Sequence, residues 1–513
     1  MEKRRNLLCV VAIATTLVLN AQGTAKVESQ ESFDYNRSSL SVIAFTGLTG
    51  SADCDNAVVE WASTADFDGK FDMNKIKTVN INAINDTTDI KDALNQAGVG
   101  KQVLDYWVQY DGKKFNDELM SQRARYNATD ADVLKDQANK VSTLDVANKG
   151  VLKQSYVMVA GPTKIEENIN KKDGKVTYTA TVYAHVYKLD LTDEMIDSIW
   201  ANWLGEDATD AQRAQYDGVN VDLIYMASTK EKIGTGSTKD EAVKDALGEV
   251  LQPLEKKIDA WQVVTSIYQK HPLGAKIGKK EGLHNSDRYR AFKVVEDADG
   301  NLAYKKMGFV RATKVVDNAQ NSTGESDCSQ FYQISGRNLR EGMFLKQKKD
   351  ARISVSAYGV LDGFQVGGID VDYLMHTSNS FGLMQYVGLS MGYFYDNDYD
   401  SNYIPMAINY GIGIHPVRIL EIMPNIGVGA DYYSASDDNN GYSSSSEDEE
   451  SFMKKIAYFA RAGVKVGLQI YYPVQIFARI DYAYKLSEGE QYVESSKERF
   501  EKISFGAGIK INF

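Results

Sequence analysis

Alternation of apolar and polar residues dominates the last third of the chain. From residue 351 onward, segments in which every second residue is apolar recur between clusters of Gly, Asn, Asp and Ser. In one segment Ile369, Val371 and Tyr373 are separated by small or acidic residues. Side chains two positions apart lie on the same face of a strand, so each segment is predicted to be a β-strand with one apolar face.

Eight such segments follow one another, and the last ends at Phe513. Each is close to the roughly 9–11 residues that a tilted strand needs to cross a bilayer. The connection at 472–474 is a tight turn, whereas those at 434–451 and 486–499 are long and polar. Short turns on one side and long loops on the other are typical of outer-membrane barrels. We predict an eight-stranded antiparallel transmembrane β-barrel over 350–513, with a soluble β-domain as the alternative.

The polar faces of these segments carry charges of both signs. An eight-stranded barrel has an interior only wide enough for side chains, and an unpaired charge away from water is costly. We therefore expect these charges to pair and to plug the barrel rather than to line a conducting path. The predicted interior network consists of Arg352, Asp370, Asp372, Asp431, Arg461, Lys465, Arg479, Asp481 and Lys510.

The C-terminal region resembles a known class of proteins. Its last strand, with Phe505, Ile509, Ile511 and the terminal Phe513, is similar to the signal that the barrel assembly machinery reads. The whole region looks like the small eight-stranded, OmpA-like outer-membrane barrels of Bacteroidetes type. This resemblance implies an outer-membrane location, with outer-membrane lipid and the barrel assembly machinery as partners.

The N-terminus has the three zones of a secretory signal peptide, predicted over 1–22. A basic tip precedes an apolar run at 7–19, and small residues follow at Ala21 and Ala25. A lipid anchor on Cys9 is the alternative, although the small residue that normally precedes a lipidated cysteine is missing. No later apolar segment approaches the roughly 20 residues of a membrane-spanning helix.

Strand and helix patterns interleave between the signal peptide and the barrel. Strands are predicted at 39–45, 156–161, 177–186 and 221–227, and helices at 90–107, 130–147 and 193–204. This interleaving predicts a mixed α/β domain over 30–265, followed by a small β module over 285–347.

Thr238 and Glu241 are predicted to form a capping box that opens a helix through residue 258. A phosphate-binding loop at the same place is disfavoured because its G-x-x-x-x-G-K-[ST] spacing is absent.

Residues 38–347 resemble the periplasmic domains of the CsgG and FlgT group. The resemblance lies in "QSYVMVAGPTKIEE", in "GTGSTKDEAVKDAL" and in the segment 290–346, which is similar to the small β module that closes FlgT-like proteins. It implies a periplasmic envelope-scaffold or assembly module that binds other envelope proteins. Pore formation, which CsgG performs with strands of its own domain, is not implied, because this chain has a separate barrel.

The charge of the chain bears on which molecules it can bind, and its cysteines bear on whether it holds a disulfide. The net charge of −12 is poorly suited to binding nucleic acid, whose phosphates require a basic surface. Beyond the signal peptide the cysteines are Cys54 and Cys328. In an oxidising envelope they could form a disulfide, and two separate thiols are an equal alternative because the sequence gives no distance between them.

Catalytic patterns are weak, so we predict no catalytic residue, no metal site, no cofactor and no enzymatic activity. The five histidines are scattered without H-E-x-x-H spacing. A G-x-S-x-G match around Ser390 lies inside a predicted strand, with no helix after it.

We predict a membrane anchor that carries a periplasmic module. The alternatives are a transport or secretion component, and an adhesin acting through the acidic loop at 436–450. Ca²⁺ binding by that loop is disfavoured against a solvated loop, because EF-hand ligand spacing is absent.

Overall fold

Three units follow one another along the chain: an α/β domain, a second sheet and a closed barrel. The structure, a computed structural model, describes residues 37–67, 69–82, 89–127, 152–171, 174–296, 302–319, 327–362, 365–435, 455–495 and 499–513. The predicted signal peptide, the predicted helix at 130–147 and the acidic loop lie outside these residues. Within them, no helix combines the length and apolar character needed to cross a membrane.

The α/β domain is built on a seven-stranded mixed sheet. Its strands are β1 (Ser39–Thr46), β2 (Asp72–Met73), β3 (Asn80–Asn82), β4 (Ser155–Ile169), β5 (Val176–Leu189), β6 (Leu223–Ser228) and β7 (Lys232–Gly236). Its helices are α1 (Ala52–Thr64), α2 (Ile90–Gln96), α3 (Val99–Trp107), α4 (Asp117–Asn127), α5 (Asp193–Ala201), α6 (Asp210–Asp217), α7 (Lys239–Gly248) and α8 (Leu251–Lys257).

Helices cover both faces of this sheet, which explains why β1 is buried at every position. β1 pairs in parallel with β4 and is buried along its whole length. Residues of α2, α3, α5 and α6 form a core against one face, and residues of α1, α7 and α8 form a core against the other. The predicted α/β region is therefore confirmed as a sheet between two helical layers.

The turn from β7 into α7 has a structural explanation. Thr238 caps α7, its Oγ1 accepting a hydrogen bond from the Glu241 amide at 3.2 Å. Glu241 accepts from the Ser237 amide rather than from that of Thr238, so the cap differs by one residue from a capping box. A β-carbon on Gly234 would lie 2.2 Å from the Ala246 amide nitrogen, so this glycine allows the strand and helix to pack closely.

The predicted single helix through residue 258 is wrong in its length, because two helices occupy this stretch. α7 ends at Gly248, and α8 starts at Leu251. Pro253 lies in the first turn of α8, where its missing amide hydrogen is tolerated. The same proline could not continue α7, since an interior helical position requires that hydrogen bond.

The second sheet is seven-stranded and antiparallel, and it starts earlier than residue 285. Its strands are β8 (Val264–Ser266), β9 (Gln269–Lys270), β10 (Leu273–Ala275), β11 (Arg288–Glu296), β12 (Leu302–Lys314), β13 (Ser329–Gly336) and β14 (Phe344–Gln347). The order across the sheet is β8-β14-β11-β12-β13-β10-β9. Strands of two or three residues are too short to leave an alternating pattern, which is why the sequence prediction missed β8, β9 and β10.

Eight antiparallel strands close into the predicted barrel. They are β15 (Ile353–Asp362), β16 (Gly367–Thr377), β17 (Met384–Asp396), β18 (Ser401–Val417), β19 (Leu420–Ala435), β20 (Ile456–Tyr471), β21 (Val474–Glu488) and β22 (Ile503–Asn512). β22 pairs with both β21 and β15, which closes the ring. We call the end with the turns at 378–383, 418–419 and 472–473 the base, and the opposite end the mouth.

Candidate functional site

Ion pairs occupy the middle of the barrel, in a group we call the central cluster: Asp370, Asp372, Lys465, Arg479 and Asp481. Arg479 is fully buried; its Nη1 lies 3.2 Å from Asp370, and its Nε donates to Asp481. The Lys465 Nζ lies 2.7 Å from Asp370 and 3.5 Å from Asp372. The cations and carboxylates come from β16, β20 and β21, so these contacts cross the barrel interior.

Arg479 also packs on an aromatic ring. Its guanidinium carbon lies 3.9 Å from the centroid of Tyr358, whose ring comes from β15. Arg461, in β20, makes a polar rather than an ionic contact, donating from Nη2 to Asn409 Oδ1 at 2.7 Å and to Ser390 Oγ at 3.2 Å. Ser390 therefore serves a hydrogen-bond network in the middle of β17, away from any strand-to-helix turn of the kind a hydrolase nucleophile needs.

A second group, the base cluster, surrounds Glu421 of β19. This carboxylate accepts hydrogen bonds from Lys510 Nζ at 3.1 Å and from Gln475 Nε2 at 2.8 Å. The Tyr386 hydroxyl lies 3.3 Å from Glu421, and His415 Nε2 lies 3.8 Å from it. Glu421 is not among the predicted interior residues. The alternating pattern of β19 extends back to it, with Ile422 and Pro424 on the opposite face, and could have revealed it.

A third group, the mouth cluster, depends on a side chain from a loop. Arg499, from the connection between β21 and β22, is buried, and its Nη1 lies 2.8 Å from Asp431 of β19. The Tyr492 hydroxyl donates to the same carboxylate at 2.8 Å. The Arg499 guanidinium carbon lies 4.1 Å from the centroid of Tyr403 and 4.6 Å from that of Phe394. No sequence pattern pointed to Arg499, because it lies outside the strands.

Eight of the nine residues predicted for the interior network have buried side chains within the barrel strands. The exception is Arg352, which precedes β15 and has a φ of 56°. Its Nη2 lies 3.0 Å from Asp287 of the second sheet's unit, so this arginine binds at the base outside the barrel. The alternation of β15 extends back to Arg352 in the sequence, but the backbone turns at that residue and its side chain contacts Asp287 instead of the barrel interior.

The second sheet seals the base of the barrel. Ile334 of β13 packs in one buried cluster with Leu374, Met384 and Met423 of the barrel strands. The Tyr332 hydroxyl donates to the His415 carbonyl at 2.6 Å. These contacts bring side chains of β13 against the residues that surround the base cluster.

Polar contacts reinforce this seal. The Arg311 Nη2 of β12 lies 2.5 Å from Asp350, which immediately precedes the barrel. The Ser286 hydroxyl lies 3.0 Å from that of Thr377 at the end of β16. Asn285 donates to the Thr377 carbonyl at 2.9 Å and accepts from its amide at 3.0 Å. The sheet is therefore fixed to the barrel at several separate points.

A buried ion pair joins the α/β domain to the second sheet. Glu255 of α8 pairs with Lys70, and its other oxygen lies 2.5 Å from Lys349 Nζ, just after β14. Burial lowers the pKa of Lys70, and Glu255 opposes this only in part. Burial by itself would raise the pKa of Glu255, but Lys70 and Lys349 outweigh it, so the pKa of this carboxyl lies below its ordinary value.

The residues predicted as an assembly signal lie on or beside the last strand. Phe505, Ile509 and Ile511 occupy alternate positions of β22, and Phe513 follows its end. The proposed disulfide is absent from the described residues. Cys54 is buried in α1 within a core of the α/β domain, whereas Cys328 precedes β13 of the second sheet. The two thiols thus belong to different units, a separation that the sequence did not reveal.

No group of three His, Cys, Asp or Glu side chains suited to a metal ion occurs in the described part of the chain. The barrel interior instead holds cations against carboxylates at the base, in the middle and at the mouth. Such an arrangement can lock strands together, because each carboxylate of these clusters lies beside a buried cation.

Comparison with known proteins gives structural likenesses only. Neither a protein-family model nor a curated protein sequence matches the chain. The solved structures similar to it include the outer membrane protein Ail of Yersinia pestis, at 12% identity over 31% of this chain and 98% of that one, with a TM-score of 0.19. The outer membrane enzyme PagL matches at 12% identity, over 31% of this chain and 99% of its own, with a TM-score of 0.19. OmpT of Vibrio cholerae matches at 10% identity, over 70% of this chain and 98% of its own, with a TM-score of 0.15. At these identities and TM-scores no property of these proteins transfers to this chain.

Proposed function

We propose that this protein is a non-enzymatic outer-membrane anchor that holds an envelope-scaffold module in the periplasm. The observation that carries the proposal is the filled barrel: ion-pair clusters occupy its base, middle and mouth, and the second sheet packs against its base. A barrel closed in this way suits attachment better than conduction, since eight strands leave room only for side chains.

The outer surface of the barrel supports a place in a membrane. Outward-facing apolar side chains are more than half exposed on several strands, among them Leu389 at 62%, Ile408 at 58% and Ile426 at 64%. Exposing apolar surface to water costs about 25 cal/mol per Å². A continuous belt of such side chains is therefore expected to face hydrocarbon.

Two features support the scaffold role. The ion pair at Glu255 and the contacts at the barrel base give the three units a fixed arrangement rather than a flexible tether. On the α/β domain, β6 exposes Ile224, Tyr225 and Met226 to between 41% and 53%. Exposed apolar groups of this kind are typical of protein-binding surfaces, so envelope proteins are the proposed partners. Outer-membrane lipid and the barrel assembly machinery are the other proposed partners. The acidic chain is not proposed to bind nucleic acid or a cofactor.

The alternative functions differ in what supports them. A transport or secretion channel would need a path through the barrel, which the Arg479 and Glu421 ion pairs oppose. An adhesin acting through the loop at 436–450 depends on residues outside the described part of the chain. The anchor is therefore the function that the described contacts favour.

Cell fractionation with heat-modifiable gel migration tests the proposal. The protein is expected in the outer-membrane fraction and should migrate faster unheated than boiled, because a folded barrel resists detergent. Added protease should spare the α/β domain in intact cells and cleave it once the outer membrane is permeabilised. A protein that stays soluble without detergent would contradict the anchor, and cleavage of the α/β domain in intact cells would contradict its periplasmic location.

A further inference from the structure

A basic pocket lies where the three units meet at the barrel base, and we call it the junction pocket. Its cavity volume is about 340 Å³, within the range of small-molecule sites. The lining includes five cationic side chains, contributed by α8, β11 and the segment after β14: Lys256, Arg288, Arg290, Lys348 and Lys349. The lining includes one acidic side chain, that of Glu255, which already pairs with Lys70 and Lys349.

The cations are not all committed to structural contacts. Arg288 donates to the Lys348 carbonyl at 3.0 Å and to the Tyr472 hydroxyl, so its position is fixed. Arg290 makes a cation–π contact, since its guanidinium carbon lies 4.9 Å from the centroid of the Phe309 ring. The buried Nε of Arg290 has no hydrogen-bond partner, and within the described ranges neither Arg290 nor Lys256 pairs with a carboxylate. Two cations are thus available to an anionic ligand.

Apolar side chains line the pocket beside the cations. Tyr472, Pro473 and Phe513 belong to the barrel rim, and Phe309 belongs to β12 of the second sheet. Phe513 is 53% exposed and continues the outward-facing row of β22. In a barrel that spans the outer membrane, the base rim lies at the level of the lipid headgroups of the periplasmic leaflet. The pocket thereby combines charge for a phosphate with an apolar exit toward the hydrocarbon.

We propose that the junction pocket binds the phosphate headgroup of an anionic glycerophospholipid, with the acyl chains lying against the outer face of β21 and β22. This inference rests on the proposed membrane location. A guanidinium can donate two parallel hydrogen bonds to phosphate oxygens, a role that suits Arg290. Binding there would tie the α/β domain, the second sheet and the barrel to one lipid.

Native mass spectrometry of the full-length protein, folded in micelles and titrated with phosphatidylglycerol or phosphatidylcholine, tests the proposal. The wild-type protein should retain one phosphatidylglycerol and much less phosphatidylcholine. In the double variant R290Q/K256Q the affinity for phosphatidylglycerol should fall about 25-fold, since each basic residue near an anionic membrane surface contributes about fivefold. The control double variant R337Q/K270Q removes the same charge outside the pocket lining and should change the affinity less than twofold.

Several outcomes would overturn the inference. Equal retention of phosphatidylglycerol by R290Q/K256Q and wild type would exclude the pocket, provided that tryptophan fluorescence gives both the same unfolding midpoint. Equal retention of the two lipids by wild type would exclude charge recognition. Displacement by millimolar inorganic phosphate would exclude a lipid in favour of a soluble phosphate compound. Heat-modifiable migration of the same samples separates these results from failure of the anchor itself, because a protein without a folded membrane barrel would not show it.

Discussion

Gly382, in the base turn between β16 and β17, tests the contact between the second sheet and the barrel. Its φ is +58°, and a β-carbon there would lie 2.2 Å from Cε1 of Tyr332 in β13. The substitution Gly382→Ala should therefore push the tyrosine ring away from the barrel. Gly342→Ala is a matched control, because Gly342 also has a positive φ, +77°, but no atom lies within 4 Å of the added carbon.

The magnitude follows from three local effects. The left-handed backbone conformation costs about 1–2 kcal/mol for a non-glycine residue, and this applies to both variants. In Gly382→Ala the ring must also move by about 1 Å, and overpacking of this kind costs about 1–3 kcal/mol. That movement breaks the 2.6 Å hydrogen bond from Tyr332 to the His415 carbonyl, at about 1 kcal/mol. The excess over the control should be about 2–4 kcal/mol.

Hydrogen exchange of the folded protein in detergent measures this difference directly. Amides of β13 (Ser329–Gly336) should exchange roughly 30-fold or more faster in Gly382→Ala than in Gly342→Ala, because their exchange reports the free energy of local opening. Amides in the middle of the barrel strands should exchange alike in both variants. The docking argument would be refuted if β13 exchanged at the same rate in the two proteins.

Three further predictions concern separate parts of the molecule. All five tryptophans lie at or before Trp261, so tryptophan fluorescence reports on the α/β domain and gel migration reports on the barrel. Arg479→Met should destabilise the barrel by about 3–5 kcal/mol, since it leaves buried carboxylates without their cation. The fast migration of the unheated protein should be lost at a lower urea concentration than in wild type, and adding Asp481→Asn should partly restore the wild-type concentration. Thr238→Ala should lower the unfolding free energy of the α/β domain by about 1 kcal/mol in tryptophan fluorescence, with barrel migration unchanged. The stabilisation from Glu255, whose pKa lies below its ordinary 4.5, should be full above that pH and lost as the pH falls below it; the difference in fluorescence midpoint between wild type and Glu255→Gln should then shrink, and a constant difference down to pH 3 would contradict this.

The barrel could be predicted from sequence because its two faces impose opposite demands. Every second side chain of a strand faces outward, so Ile369 and Val371 had to be apolar while Asp370 and Asp372 had to find partners inside. This constraint acts on each residue locally and leaves a readable pattern. It accounts for the correct strand count, and it explains why eight of the residues predicted for the interior have buried side chains in barrel strands.

The contacts that close the barrel were harder to predict because they join distant parts of the chain. Arg499 comes from a loop, and its Asp431 partner is 68 residues away. The base is sealed by Tyr332 and Ile334, whose strand belongs to another sheet. Arg352 satisfied the alternation but lies at a backbone turn. Such placements depend on how units dock, and side-chain periodicity within one strand carries no information about docking.

Recording of the full-length protein in planar lipid bilayers tests the central claim, a closed barrel, most directly. The protein should first be shown by heat-modifiable migration to be folded in the reconstituted sample. With the base, central and mouth clusters in place, the account predicts a membrane current no different from that of protein-free lipid. Reproducible stepwise openings from the folded wild-type protein would contradict it, and would point to a conducting path past Arg479.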